Sequence, residues 1–264
     1  MNRRQFLASC IATSAIATAG DVAAQTSSQD AREYYQLRRY DVASGPQSKL
    51  TENYFADALI PALKRMGMGP VGAFTLDFGE QTPAYYLLIP SLSVESLVNL
   101  ELNLAEDQGF LEISAPFWNA TAAAPACQRV ESSLLKAFTG WPRITPPASA
   151  GTKGKRRFQL RTYESPSILD HMRKVEMVNT GEYEIFRKAG LPPVFFGDTL
   201  IGPRLPNLTY MVSVDDIGEV DAKWVAFRSS PEWKKLSSNP RFNFDPTVTN
   251  VSNLIVSALD CSQV

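Results

Sequence analysis

The chain has 264 residues, with 26 Lys and Arg against 27 Asp and Glu, a formal charge of −1, one histidine and three cysteines. Near-neutrality gives no electrostatic reason to expect nucleic acid or an anionic membrane surface as partner. A lone histidine and the absence of Cys-x-x-Cys argue against a histidine-rich or structural zinc site, leaving only a carboxylate site open, and G-x-S-x-G, H-E-x-x-H and Walker sequences are missing.

The first element is an address. Arg3-Arg4-Gln5-Phe6-Leu7 is a twin-arginine pair followed by an aromatic and a leucine, an uncharged run rich in Ala, Ile, Ser and Thr continues to Gly20, and Val22-Ala23-Ala24 offers the small residues a signal peptidase accepts before Gln25. The pattern predicts a twin-arginine-type signal over 1–24, with the mature chain periplasmic or secreted by the twin-arginine or the general route. The apolar run is too short to leave a stable membrane span, and Leu7-Ala8-Ser9-Cys10 lacks the preceding apolar segment of a lipoprotein signal. Loss of Arg3, Arg4 and Asp21 with the signal leaves 24 basic and 26 acidic residues, a charge near −2.

The remainder repeats itself. Tyr35-Gln36-Leu37-Arg38-Arg39-Tyr40 and Phe158-Gln159-Leu160-Arg161-Thr162-Tyr163 match at a spacing of 123 residues, which also carries Gly67 onto Gly190 and Pro70-Val71 onto Pro193-Val194. Tyr86 falls within one residue of Tyr210, and Pro116-Phe117-Trp118 and Pro231-Glu232-Trp233 form a later pair. This is an internal duplication. Each half opens with an alternating strand (33–40; 156–163) and a long helix (47–66; 167–189). Two strands follow (71–79 and 84–90; 193–201 and 207–214), then a second helical region and a closing strand (130–138; 251–259). Ser165-Pro166 suits a helix start, and Gly190 with Pro192-Pro193 a stop. Proline and glycine between 142 and 155 give that stretch linker chemistry, and the basic run Lys153, Lys155, Arg156 and Arg157 reads as part of a solvated linker.

The expected fold is therefore α+β: two β-α-β-β-α-β repeats over 25–141 and 156–264, joined by a linker at 142–155. A four-stranded sheet with both helices on one face leaves its other face bare, so two copies are expected to pack sheet to sheet into a barrel-like unit. Gly67-Met68-Gly69-Pro70-Val71-Gly72 satisfies the dinucleotide pattern G-x-G-x-x-G, but here a helix ends and a strand begins, the reverse of what a pyrophosphate site needs. A helix cap and turn is the expected reading.

The ordered set Lys174-Val175-Glu176-Met177-Val178-Asn179, Gly190-Leu191-Pro192-Pro193-Val194-Phe195-Phe196-Gly197, Leu205-Pro206-Asn207-Leu208-Thr209-Tyr210-Met211 and Pro231-Glu232-Trp233-Lys234-Lys235-Leu236 resembles the NIPSNAP family, within the dimeric α/β-barrel superfamily. The resemblance implies tandem ferredoxin-like domains and homo-oligomers, but no defined chemistry. Three functions follow from it. One is a binding or accessory protein holding a small apolar or aromatic molecule in the barrel, with Phe195, Phe196, Tyr210 and Trp233 as candidate ligand contacts. Another is a cofactor-free monooxygenase-like or haem-associated enzyme using His171 with Arg161 or Tyr163, and the third is a purely structural interaction module.

Several residues carry two readings. His171, on the shoulder of the helical stripe Ile168, Met172 and Val175, is a general base, a haem ligand or a packing residue. Arg38 with Tyr40, and Arg161 with Tyr163, each point to one sheet face while Leu37 and Leu160 point to the other. Such pairs hold a carboxylate or enolate-like ligand, or stitch the sheet to its surroundings. Trp118 and Trp233 read as core anchors or as stacking surfaces for a ligand. Cys127 and Cys261 pair as a disulfide in an oxidising compartment or stay free. A nucleophilic cysteine would need a basic partner, for which His171 is the only histidine.

Overall fold

Side chains that alternate between two apolar layers build the eight strands. They are β1 (Tyr34–Asp41), β2 (Gly72–Phe78), β3 (Ala84–Ser91), β4 (Arg129–Ala137), β5 (Arg157–Glu164), β6 (Pro193–Ile201), β7 (Asn207–Val214) and β8 (Asn250–Ala258). The computed structural model describes residues 31–43, 45–79, 81–151, 156–214 and 216–264. The predicted signal, its cleavage point at Gln25, and Lys153 and Lys155 lie outside the described residues.

The strands form one closed antiparallel barrel in the order β1-β3-β2-β8-β5-β7-β6-β4. The first half contributes the run β4-β1-β3-β2 and the second β8-β5-β7-β6, and pairs β2–β8 and β4–β6 join them. The barrel-like unit that the bare-face argument anticipated is closed through the edges of the two sheets. Their edges hydrogen-bond, so the bare faces curve around a common lumen. The repeat is kept in the register: Tyr34 lies opposite Ser91 and Asp41 opposite Ala84, while Arg157 lies opposite Val214 and Glu164 opposite Asn207, each 123 residues later.

Each half covers its outer sheet face with helices. In the first, α1 (Pro46–Asn53) runs through a π-helical turn at Tyr54–Leu59 into α2 (Ile60–Arg65), and α3 (Val94–Val98), α4 (Leu100–Leu104) and α5 (Gln108–Trp118) follow β3. In the second, α6 (Ile168–Met177) passes through a π-helical turn at Val178–Glu182 into α7 (Tyr183–Lys188), and α8 (Val220–Ser229), α9 (Pro231–Ser237) and α10 (Phe244–Thr247) follow β7. The N-cap of α6 is Ser167, whose hydroxyl accepts from Asp170 N–H, so the helix starts just beyond the anticipated Ser165-Pro166. The pair Pro116 and Pro231 is not equivalent in space: Pro116 lies inside α5, whereas Pro231 opens α9.

Gly67 and Gly190 end the two long helical runs at φ 74°, the left-handed conformation that favours glycine. Met68 N–H reaches Leu63 O and Leu191 N–H reaches Phe186 O, one cap made twice. The apparent dinucleotide motif is thus a helix stop before β2.

Three apolar clusters result. Tyr40, Phe55, Leu59, Leu63 and Phe110 pack between the first sheet and its helices, and Phe186, Phe196, Tyr210, Trp224 and Phe227 do so in the second. Tyr35, Phe74, Phe158, Phe195, Met211 and Val256 pack inside the barrel. The stretch after β4 is no free linker. Ile144 is buried in the lumen cluster and donates its N–H to Glu33 Oε2. Nor is Arg156 part of a solvated run: it is buried, and its guanidinium donates to the carbonyls of Ala150, Leu259, Ser262 and Val264.

A Cβ on Gly67 would meet nothing within 4 Å, so Gly67→Ala isolates backbone strain. The substitution is expected to cost roughly 1–2 kcal/mol, read as a lower urea midpoint at unchanged slope.

Candidate functional site

The lumen is filled at one end and open at the other. At the filled end Tyr35 meets Phe195 edge-on at 5.4 Å and Phe74 meets Phe158 at 5.1 Å. At the open end lies a cavity of about 650 Å³ to which every strand contributes. Leu37, Leu76, Leu160 and Leu254 form its apolar floor, Tyr86, Thr162, Thr199 and Thr209 its wall, and Arg39, Arg129, Glu131 and Arg204 stand at its mouth.

Much of this wall is already satisfied. The Thr162 and Thr209 hydroxyls share a hydrogen bond of 2.9 Å. Arg39 Nε donates to Asp41 at 2.8 Å and its Nη2 to Gln81, while Arg204 donates to Ser252 and pairs with Glu164. One group is not satisfied. Thr199 is 8% exposed and its Oγ1 is buried with no partner, a costly arrangement unless something else bonds it. Tyr86 is 7% exposed, and burial raises the pKa of its phenol, so its hydroxyl keeps its proton at neutral pH.

The anticipated site residues stand elsewhere, with one exception. Leu37 and Leu160 do point away from the Arg–Tyr pairs, but it is the leucine face that lines the cavity. Arg38 is held on the helix side by Glu101 at 2.6 Å, Gln36 at 2.7 Å and Tyr40 at 3.4 Å, and Tyr40 packs edge-on against Phe55. Arg161 lies 4.0 Å over the Trp224 ring, also facing Tyr163 and Tyr210, whose hydroxyls are 2.9 Å apart. These pairs stitch sheet to helices. Phe195 alone of the aromatic candidates faces the lumen, at its filled end. Phe196 stacks on Tyr210 and Trp233 packs on Phe227, both outside the barrel wall. Trp118, likewise outside, donates to the Tyr54 hydroxyl.

His171 does not join Arg161 and Tyr163. Its Nε2 lies 2.7 Å from Asp198 Oδ1, and its Nδ1 is buried without a partner. With Asn179, Met172 and Arg241 it borders a surface groove outside the barrel. That geometry does not suit a haem ligand in the lumen, where no histidine, cysteine or methionine lines the cavity. Among the described residues no cluster of His, Cys, Asp and Glu could hold a metal ion, and no helix is long and apolar enough to cross a membrane.

Cys127 and Cys261 are both free, each half-buried against the first cluster. Gln128, next to Cys127, bonds to the end of β1, whereas Ser262, next to Cys261, bonds to Ala73 on β2. Their neighbours are thus tied to different strands of the first half. Burial raises the pKa of Cys127 and pushes that of Cys261 up to about 11. At pH 8 the folded chain is expected to leave on the order of a thousandth of Cys261 as thiolate. Alkylation followed by intact mass should therefore show slow labelling of both thiols when folded and rapid labelling once unfolded.

The second half also buries an ion pair that sequence reasoning missed. Lys174 Nζ lies 2.8 Å from Glu182 Oε2, both out of solvent and straddling the π-helical turn, where the 123-residue spacing puts Thr51 and Leu59 in the first half. Glu182→Leu leaves the buried ammonium without this carboxylate and is expected to cost roughly 3–5 kcal/mol, measured by denaturant unfolding.

Comparison with known proteins follows the halves. The NIPSNAP family model matches residues 158–263, and no curated protein matches the chain. A monooxygenase-like protein from Fusobacterium nucleatum is similar in structure at a TM-score of 0.56 and 11% identity, over 87% of this chain and 93% of that one. Another from Lactobacillus acidophilus gives 0.54 and 12%, over 86% and 94%. A NIPSNAP-like domain protein from Burkholderia xenovorans covers 38% of this chain and 83% of its own at 17% identity and a TM-score of 0.34. The first two share the barrel fold. The NIPSNAP match is thus to the second half of this chain, residues 158–263.

Proposed function

We propose that this chain is an exported small-molecule-binding protein, built from two tandem ferredoxin-like repeats, whose ligand occupies the open end of the lumen. The order β-α-β-β-α-β in each half, with strand pairing β4-β1-β3-β2 and β8-β5-β7-β6, supports the repeat. The twin-arginine pair at Arg3-Arg4 supports export. One observation carries the binding reading: a cavity of about 650 Å³, in the size range of sites for small organic molecules, has an apolar floor and a wall that carries the Tyr86 phenol.

A second reading, a monooxygenase-like activity in the same lumen, takes its motive from the two monooxygenase-like proteins that share the fold. It would use the lumen wall, Tyr86 above all, and not His171. The described lining offers haem no histidine, cysteine or methionine ligand.

Native mass spectrometry of the full chain from its own host tests the binding reading. A retained organic mass is expected, lost in Leu37→Trp and Leu254→Trp, whose indoles project from half-buried floor positions into the open space. Circular dichroism checks that both variants fold. A bare chain in every preparation, or a retained mass indifferent to both substitutions, overturns the reading.

A further inference from the structure

The mouth of the lumen has an order of charge that the apolar floor does not require. In the ion pairs Arg39–Asp41 and Arg204–Glu164 the guanidinium is the more exposed partner, 27% against 11% and 53% against 18%. The cations face solvent and their carboxylates sit behind them. Arg129, exposed at the same mouth, has no ion-pair partner among the described residues. Among the described residues three guanidiniums thus line the cavity against one carboxylate, Glu131, which lies across from Arg39 in the β1–β4 register, as Arg129 lies across from Asp41.

The wall adds a donor below this ring. Tyr86 pairs with Arg39 across β1–β3, and its hydroxyl has no hydrogen-bond partner among the described residues. Because burial keeps that phenol protonated, it can donate to an incoming oxygen. The threonines of the wall add none, since Thr162 and Thr209 bond each other and the Thr199 oxygen is hidden from the open space. Guanidiniums above, the Tyr86 hydroxyl below and leucines at the bottom form a gradient from polar to apolar along one short axis.

From this gradient we infer that the lumen takes an amphipathic oxyanion, a carboxylate or phenolate on an apolar body, its oxygen held at the mouth by Arg129 and Arg204 and its body on Leu37, Leu160 and Leu254. The inference rests on the lumen being the binding site and adds the class and the orientation of the occupant. A neutral apolar molecule would cover the floor but offer no anionic oxygen to the exposed Arg129 and Arg204 guanidiniums or to the Tyr86 hydroxyl.

The test uses two fluorescent probes with one apolar body and different heads, 1-pyrenebutanoate and 1-pyrenebutanol, titrated into the full chain and followed by anisotropy. The butanoate is expected to bind about tenfold or more tighter, and in Arg129→Gln/Arg204→Gln the preference should fall to about threefold or less with butanol affinity unchanged. Both positions are exposed, so the variant should fold. Leu37→Trp should weaken both probes. Equal affinity of the two probes, with Leu37→Trp still weakening both, overturns the oxyanion class while sparing the lumen as a site. A butanoate preference untouched by the arginine variant overturns the assignment of the mouth. Failure of both probes to bind overturns the inference and the binding reading together.

Discussion

The structure depends on two lines of hydrogen bonds, β2 to β8 and β4 to β6, that join one half of the chain to the other. A sheet covered by helices on one side has a bare apolar face and two unpaired edges, and each is a liability in water. Edge pairing removes both at once, because sheets joined at both edges must curve, and their bare faces become the wall of a closed interior. Each joint carries an irregularity, between Leu76 and Phe78 on one side and Leu134 and Leu135 on the other. Leu76 and Phe78 border the cavity, as does Thr199, which pairs with Leu135. Such bulges bend strands and re-aim side chains, and here they fall where the lumen widens.

The 123-residue spacing holds for the backbone more firmly than for the chemistry beneath the helices. Arg38 and Arg161 occupy one place in the repeat, yet Arg38 is neutralised by Glu101 from α4, whereas Arg161 lies over the Trp224 ring from α8. Thr51 and Leu59 give way to the ion pair Lys174–Glu182, and Leu87 to Tyr210, which bonds Tyr163. The second outer layer is therefore the more polar and more aromatic. Its polar groups are tied within the layer, consistent with a role in holding helices to sheet. The family match falls on this half.

Strands, helices and caps were legible because each is written locally. The segments 193–201 and 207–214 are β6 and β7 as read, and the equivalence of Gly67 and Gly190 is borne out by matching caps. The π-helical turns were not legible: an extra residue per turn leaves no mark in an apolar stripe that continues through it. The lumen was hidden for another reason. Its wall takes side chains from all eight strands, and only the pairing brings Arg39, Tyr86 and Glu131 side by side. The conspicuous aromatics Phe196, Tyr210 and Trp233 drew attention to the helix side, while the face that matters is written in leucines and threonines. Alternation did give a usable signal, since it separates Leu37 from Arg38 and Leu160 from Arg161, but it does not say which face encloses a space.

A taper in side-chain size explains why the space exists. Along the inward face of β1 the residues run Tyr35, Leu37, Arg39; along β5, Phe158, Leu160, Thr162; along β6, Phe195, Gly197, Thr199; and along β7, Met211 then Thr209. An eight-stranded barrel has an interior about wide enough to be filled by its own side chains or to hold one small ligand. With rings from four strands at one level that width is consumed, and the level is dry and close-packed. Toward the mouth threonines and a glycine replace rings and the thioether of Met211, while the long Arg39 side chain leans out to Asp41 and Gln81. A void left by that substitution and bordered by hydroxyls is wet or occupied, since polar walls do not stay empty. The same eight strands thus supply a packed core at one end and an open space at the other, and residue size along each strand changes between them.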